Sequence, residues 1–460
     1  MDRRSFLSSA SATPLMSAGA MAQTSGSGSG GERPPNILFL LFDKCRRDAF
    51  NCYGLRKTNT PNIDRLAAEG TRFDNCYVPQ ALCGPTRASI LTGSYPHWHG
   101  LRRNVYPIKP SALPSNYQEA IPDPWRDTRF NLIDNWAFYL NSAGYRTGHI
   151  GKWHLGPLNP GFFDYWKGFN SMLRHWIGEP HNSRYRPDVH TDQGIRFIEE
   201  GAGSDEPWML YQSYYTPHEP LDPPKQFLKG YENEEHPGYW GNVSALDWNV
   251  GRILDALERT GQLDNTFIIL TTEHGRTWRD RPGTAEGMCV PYDEVARIPF
   301  ILRYPKRVPQ GKVWQSGVSS VDLMPTIMSA AGMNPLVGTV ELDSRRPFLH
   351  GRNLLDVLQG PDRWEQPLVI ENLPQAAIDG SFYEERAIRW ERWKLVLRAF
   401  DNRPVYRPGE LYDLEADPEE NRNLYASKAD VVKDLARRLQ AFGERTEDAL
   451  SVELAKAALG

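Results

Sequence analysis

The sequence predicts an α/β protein: a mostly parallel central sheet sandwiched by helices, with a small C-terminal α+β subdomain. Three observations predict it. Continuous apolar runs, Ile37 to Phe42, Trp208 to Tyr215, Thr266 to Thr272 and Ile298 to Tyr304, have the unbroken hydrophobicity of strands buried on both faces. Helical patterns lie between these runs, and strands alternating with helices build a sheet covered on both sides. Beyond about residue 376 the texture changes to short strand-like pieces, Glu385 to Trp390 and Trp393 to Ala399, then a helix from about Lys428 to Phe442.

Taken in order, the chain begins with Arg3-Arg4-Ser5-Phe6-Leu7 and a small-residue stretch in which Ala18-Gly19-Ala20 and Ala20-Met21-Ala22 suit a signal peptidase. Residues 1–22 therefore read as a twin-arginine-type signal peptide, which predicts an exported protein, periplasmic or secreted. Residues 23–35 read as a linker, Ser/Gly-rich from Thr24 to Gly31. The first strand ends at a charged cluster, Asp43 to Asp48. Thr60-Pro61 opens a helix that Gly70 closes, and Leu246, Val250, Ile253, Leu254 and Leu257 mark another that ends at Gly261. Ligands of such sheets sit beyond the carboxyl ends of the strands. Asp43, His218 and Glu273-His274 follow three of those ends.

The length of 460 residues exceeds what one core of roughly 250–300 residues organises, so a large domain over 36–375 and a smaller one over 376–460 are expected. With 53 Lys+Arg against 57 Asp+Glu and no long basic block, nucleic acid is excluded as the main partner. No apolar run reaches the roughly 18 residues of a membrane span. The 14 Trp, 20 Tyr and 18 Phe carry too much apolar area for a disordered chain. Five cysteines, Cys45, Cys52, Cys76, Cys83 and Cys289, cannot all pair, so at least one thiol is free or modified.

The densest chemistry lies in Ala81-Leu82-Cys83-Gly84-Pro85-Thr86-Arg87-Ala88-Ser89-Ile90-Leu91-Thr92-Gly93. It puts a cysteine at the mouth of a helix with a first-turn proline, where unpaired N–H groups favour an anion. Arg87 follows one turn later, in reach of the same anion. This segment resembles the signature of the formylglycine-dependent (type I) sulfatase family, within the alkaline-phosphatase-like superfamily, in which the Cys of Cys-x-Pro-x-Arg is oxidised to formylglycine. Gly144-Tyr145-Arg146-Thr147-Gly148-His149-Ile150-Gly151-Lys152-Trp153-His154 resembles that family's second signature. The likeness extends to Tyr214–Pro220, Thr272-Glu273-His274-Gly275, Gly409-Glu410-Leu411-Tyr412-Asp413-Leu414, Asp417-Pro418 and Asn423-Leu424.

The resemblance implies hydrolysis of a sulfate ester on a sulfated small molecule or glycan. The hydrated aldehyde derived from Cys83 attacks sulfur and displaces the alcohol, leaving a covalent sulfate that is then expelled. Position 154 matches the base for that expulsion. Lys152 and His218 match the sulfate-binding groups, His218 also being placed to protonate the leaving oxygen. The partners implied are the sulfated substrate and a formylglycine-generating maturation enzyme. The cofactor implied is a divalent cation, usually Ca²⁺, held by Asp43, Glu273 and His274.

Two positions depart from the family pattern. Lys44 stands where the resemblance puts a second oxygen ligand, and at about 4 Å an ammonium repels a divalent ion by roughly 8 kcal/mol at an effective dielectric of 20. Charge balance then seats Lys44 against Asp43 and Glu273 beside the sulfate, with metal binding weakened. The alternative swings Lys44 outward and leaves the ion to Asp43, Glu273, His274 and the Cys83-derived hydroxyl. Met288 stands where the family carries a lysine, with Arg276, Arg279 and Arg281 as candidate replacements. Trp98, His99, Arg102, Arg103 and Trp176 are candidates for a pocket rim that stacks on sugars and pairs with anions. Two other readings stay open: a phosphate or phosphonate monoester hydrolase, favoured by the Asp43-x-x-Arg46-x-Asp48 spacing, and a non-catalytic sulfoglycan-binding relative.

Overall fold

Eight strands form the main sheet: β1 (Asn36–Phe42), β2 (Thr71–Phe73), β3 (Arg146–Lys152), β4 (Tyr165–Phe169), β5 (Trp208–Ser213), β6 (Thr266–Thr272), β7 (Phe300–Arg303) and β8 (Lys312–Trp314). Their order is β8-β2-β7-β6-β1-β5-β3-β4. All neighbours run parallel except β7, which is antiparallel to both β6 and β2. The computed structural model describes residues 33–54, 58–105, 135–156, 158–171, 173–178, 183–278, 288–334, 349–372, 383–400 and 409–460. The expected signal peptide, most of the linker, Arg279 and Arg281 lie outside these residues.

Every residue of β1 is buried, and its side chains divide by parity. Ile37, Phe39 and Leu41 enter one hydrophobic cluster, Leu38, Leu40 and Phe42 the other. That division is the period-2 geometry of a strand covered on both faces. The helix Pro61–Glu69 closes at Gly70, as Thr60-Pro61 and that glycine predict. The helix marked by Leu246–Leu257 starts earlier, at Pro237, and runs to Arg259. The run Ile298 to Tyr304 is two strands: Arg297–Ile298 pairs with Cys76–Tyr77, and β7 follows after Pro299. A proline has no N–H for a ladder, so the chain changes sheets there.

The register builds the site. Leu41 pairs with Ser213 and Phe42 with Thr272, so the next residues, Asp43, Tyr214 and Glu273, emerge together at one edge of the sheet. The Glu273 N–H bonds the Phe42 carbonyl at 3.3 Å and the Tyr214 N–H bonds the Leu41 carbonyl at 2.8 Å.

The C-terminal part is a four-stranded antiparallel sheet, β9 (Leu368–Asn372), β10 (Tyr383–Trp390), β11 (Trp393–Phe400) and β12 (Glu410–Asp413), in sequential order. Two helices, Ala429–Thr446 and Ala449–Leu459, belong with it, the second unread in the sequence. Its first strand lies ahead of the boundary expected at residue 376. Its core also takes in Tyr95 and Val321, next to Ile388, Leu395, Leu439 and Phe442. Residues Pro34–Gly460 form one compact unit, and the core of this sheet and its helices is shared with the larger part through Tyr95 and Val321. Among the described residues, no helix is long and apolar enough to cross a membrane.

Candidate active site

Cys83 is the first residue of the helix Cys83–Thr92, whose residues through Leu91 are all buried. The Gly84 N–H is taken by Asn104 Oδ1 at 2.8 Å. The cysteine Sγ lies 3.2 Å from His274 Nε2. Burial pushes the Cys83 thiol well above its ordinary pKa, with the Glu273 charge adding to it. The unmodified side chain is therefore a neutral thiol, unsuited to act as a thiolate nucleophile.

Arg87, one turn further on, is fully buried. Its Nε donates to Glu273 Oε2, and its Nη1 donates to the Lys152 carbonyl at 2.6 Å and to Ser213 Oγ at 2.9 Å. One guanidinium thereby ties the Cys83 helix to the ends of β3, β5 and β6. Ser213 was not singled out in the sequence; its signal is a polar residue closing an otherwise apolar run.

Asp43 follows β1 and accepts a bond from Lys152 Nζ at 2.5 Å, while Glu273 Oε1 lies 3.6 Å from the same ammonium. Burial works against the Lys152 ammonium, yet Asp43, Cys83 and Glu273 outweigh it and hold its pKa above the ordinary value. The His274 Nδ1–H donates to the Gly275 carbonyl at 2.7 Å, which leaves Nε2 as a lone pair facing Cys83 and, at 3.6 Å, Glu273 Oε1. Burial keeps this imidazole below its ordinary pKa and therefore neutral.

One donor atom each from Asp43, Cys83, Glu273 and His274 lie within 4.8 Å of one another. Asp43 Oδ1 and Glu273 Oε1 are buried without a hydrogen-bond partner. Two unpaired carboxylate oxygens and a facing imidazole lone pair form a hard, oxygen-rich donor set that suits a divalent cation such as Ca²⁺.

Lys44 is the correction. The backbone after β1 turns through the left-handed region at Lys44 (φ 57°), which sends successive side chains in different directions. Asp43 points into the site; Lys44 Nζ pairs with Glu219 Oε2 at 3.1 Å and not with Asp43 or Glu273. The cations that balance Asp43 and Glu273 are Lys152 and Arg87. Glu219, unread in the sequence although it adjoins His218, is also met at Oε1 by Arg276 Nη1 at 2.7 Å. Burial raises its carboxyl, but Lys44 and Arg276 outweigh burial and hold it below the usual range.

His218 donates from Nδ1 to the Glu219 carbonyl at 3.0 Å, with Glu219 Oε2 at 3.1 Å from the same atom. Its ring stacks on Tyr215, centroids 4.6 Å apart. Burial, then Lys44 and Lys152, hold His218 below its ordinary pKa. His154 also adopts a left-handed backbone (φ 58°) and is buried. Burial, then the Lys152 charge, lowers its pKa to about 2, leaving a neutral ring able to accept a proton.

The other expected positions have varied surroundings. His99 is buried and bonded to Ser89 Oγ at 3.0 Å, so it is no rim residue. Arg102 pairs with Glu384 at 2.6 Å, and Trp176 donates to the Asp222 carbonyl at 2.9 Å. Trp98 is half-buried and Arg103 exposed. Arg46 forks onto Asp48 at 2.9 and 2.8 Å and also reaches the Arg276 carbonyl at 3.4 Å and Glu294 at 3.8 Å. Met288 packs against the hydrophobic core. All five cysteines are unpaired.

Comparison with known proteins identifies the family. The sulfatase family profile matches residues 35–333, and the profile of the N-sulphoglucosamine sulphohydrolase C-terminal region matches residues 288–445. An N-acetylglucosamine-6-O-sulfatase of Bacteroides thetaiotaomicron is 25% identical, over 89% of this chain and 86% of its own. The human N-acetylgalactosamine-6-sulfatase is 29% identical over 67% of this chain and 64% of its own. A solved structure in complex with its substrate D-glucosamine-2-N,6-O-disulfate superposes with a TM-score of 0.69 at 25% identity, covering 90% of this chain and 99% of that one. With the family profile spanning more than half of the residues, and with Cys83, the cations and the donor set gathered at one edge of an alkaline-phosphatase-like sheet, the chain belongs to the sulfatase family and is a sulfuric ester hydrolase.

Proposed function

We propose that the protein hydrolyses a sulfate ester on a sulfated carbohydrate, acting through formylglycine made from Cys83. The observation that carries this reading is the buried convergence of Asp43, Cys83, Glu273 and His274, flanked by Arg87, Lys152, His154 and His218. Support for a sugar substrate comes from the similar N-acetylglucosamine-6-O-sulfatase and from the glucosamine disulfate held by the similar solved structure. Asp43, Glu273 and His274, with the group at position 83, would hold the divalent cation, for which Ca²⁺ is the expected ion. When present, the ion supplies Lewis acidity at the sulfate oxygens and formylglycine supplies a geminal diol.

The residues of the chain divide the remaining work. Arg87 and Lys152 neutralise charge around the nucleophile and fix its helix against the strand ends. His154, neutral by burial, accepts the proton of the nucleophile's hydroxyl. Tyr215 and the Glu219 carbonyl hold the His218 ring so that Nε2 is free to serve the leaving oxygen. Such a site needs maturation of Cys83 by a formylglycine-generating enzyme, and residues 1–22 read as the export signal of a periplasmic or secreted protein.

The test has three readings on one preparation. Mass spectrometry of the peptide holding Cys83 should show loss of sulfur and gain of an aldehyde. Metal analysis should find about one Ca²⁺ per chain, with chelation lowering both turnover and melting temperature, since it leaves two buried carboxylate oxygens unpaired. Inorganic sulfate should be released from a sugar sulfate, with aryl phosphate and phosphonate turned over more slowly than aryl sulfate. Unmodified Cys83 in active enzyme would overturn the nucleophile assignment, and preferred phosphonate turnover would overturn the ester.

A further inference from the structure

Among the described residues, Glu219 is a carboxylate beside His218 that belongs neither to the metal set nor to the sulfate-binding groups. Its side chain is 41% exposed, whereas Lys44 and Arg276, which grip its two oxygens, are 7% and 1% exposed. Two buried cations thus converge on a single carboxylate, and that carboxylate also meets His218 Nδ1 at 3.1 Å. Arg276 is held in turn by stacking on Trp278, 3.4 Å from the ring centroid.

We propose that Glu219 is a positioning residue, held by Lys44 and Arg276, that fixes the His218 tautomer and offsets their positive charge so that His218 can carry the proton it delivers to the leaving oxygen. The proposal rests on the sulfatase reading above and deepens it for this chain's own residues. With Nδ1–H donated to the Glu219 carbonyl and carboxylate, the nitrogen left to meet substrate is Nε2. Delivery of a proton from Nε2 requires the doubly protonated ring, which is a cation beside Lys44, Lys152 and Arg276. An adjacent carboxylate is what makes that cation tolerable. In the transfer, the ester S–O bond breaks as the nucleophile's oxygen bonds sulfur, the N–H bond at Nε2 breaks as the O–H bond of the departing alcohol forms, and the ring returns to its neutral form with Nδ1–H still on Glu219.

Lys44 does not stand in for a metal ligand; its ammonium turns away from the donor set toward Glu219.

The distinguishing measurement is leaving-group dependence. A sugar alkoxide needs a proton to depart, while 4-nitrophenolate barely does, and general acid catalysis is worth about 10²–10⁴-fold. Glu219→Gln, which keeps the shape and leaves Lys44 and Arg276 uncompensated, should lower kcat on N-acetylglucosamine 6-sulfate about 100-fold. On 4-nitrophenyl sulfate it should lower kcat no more than about 5-fold. Adding Lys44→Gln to Glu219→Gln restores the local charge and should recover about 10-fold on the sugar sulfate. Melting temperatures of all variants identify any that fail to fold. Equal losses on both esters, or no recovery in the double variant, overturn the clamp while leaving the sulfatase reading intact. A wild type that releases sulfate from neither ester overturns the reading on which the clamp rests.

Discussion

Arg87 and Cys83 sit one helical turn apart and are expected to fail in different ways when changed. Arg87 is a buried ion-pair partner of Glu273 and a donor to Lys152 and Ser213. Arg87→Met leaves the Glu273 carboxylate buried with one fewer partner, so a loss of about 3 kcal/mol or more is expected together with loss of turnover. Cys83→Ala removes only a small buried group and should cost about 1 kcal/mol while abolishing turnover. Urea unfolding beside a sulfate-release assay separates the two, and turnover by Cys83→Ala would remove position 83 from the chemistry. At this scale the motif residues were legible because each signature fixes residue type and spacing. Lys44 and Glu219 were not: an ion pair across 175 positions of sequence leaves no local pattern.

At the scale of one strand, β3 explains a glycine that the motif alone does not. Gly151 has φ +101°, and a Cβ there would meet the Ser213 carbonyl oxygen at 1.8 Å. It pairs with Ser213 across the β3–β5 ladder, and Lys152 and Ser213 are the two groups that Arg87 Nη1 holds. Gly151→Ala should therefore cost about 3 kcal/mol or more through strain and a parted ladder. It should also lower kcat by displacing Lys152, as urea unfolding and turnover of one preparation will show. Gly144 in the same signature has open space around its Cβ position although its φ is +87°. Gly144→Ala carries only the backbone penalty, roughly 1 kcal/mol, and serves as the control.

At the scale of the whole molecule, the seam between the two sheets carries its own titration. His97 Nδ1 meets Glu371 Oε1 at 2.5 Å and its Nε2 meets the Thr446 carbonyl at 2.9 Å. Both ring nitrogens face acceptors, so the ring carries both protons, and His97 links the segment after the Cys83 helix to β9 and the Ala429–Thr446 helix. Burial disfavours that charge, but Glu371 outweighs it and raises the His97 pKa. A raised folded value means stability fully present below the ordinary imidazole pKa and lost as pH rises through the folded one. Nearby, burial would raise Asp448, yet its bonds to Arg386 hold it down to about 2 from 3.8. That contribution is present above 3.8 and lost as pH falls toward 2. The wild-type melting temperature should fall on the alkaline side by the equivalent of about 1–3 kcal/mol. His97→Gln should flatten that limb and leave the acid limb in place.

What the sequence determined by itself was whatever is local in cause. Apolar continuity marked β1, β5 and β6 because a strand covered on both faces must be apolar at every position. Caps and a first-turn proline marked the helix Pro61–Glu69, gapless signatures marked Cys83, Arg87, Lys152 and His154, and positions after strand ends marked Asp43, His218, Glu273 and His274. The tertiary structure alone decided where charges without a motif come to rest. The parallel register brings Asp43 beside Glu273; the left-handed turn at Lys44 sends its ammonium to Glu219; and the core of β9–β12 takes in Tyr95 and Val321 from the larger part. Each of these depends on contacts between positions far apart in the chain. Propensity and periodicity report only on neighbours, whereas the Coulomb and packing energies that place Lys44, Glu219 and Arg276 act between residues that the fold alone makes adjacent.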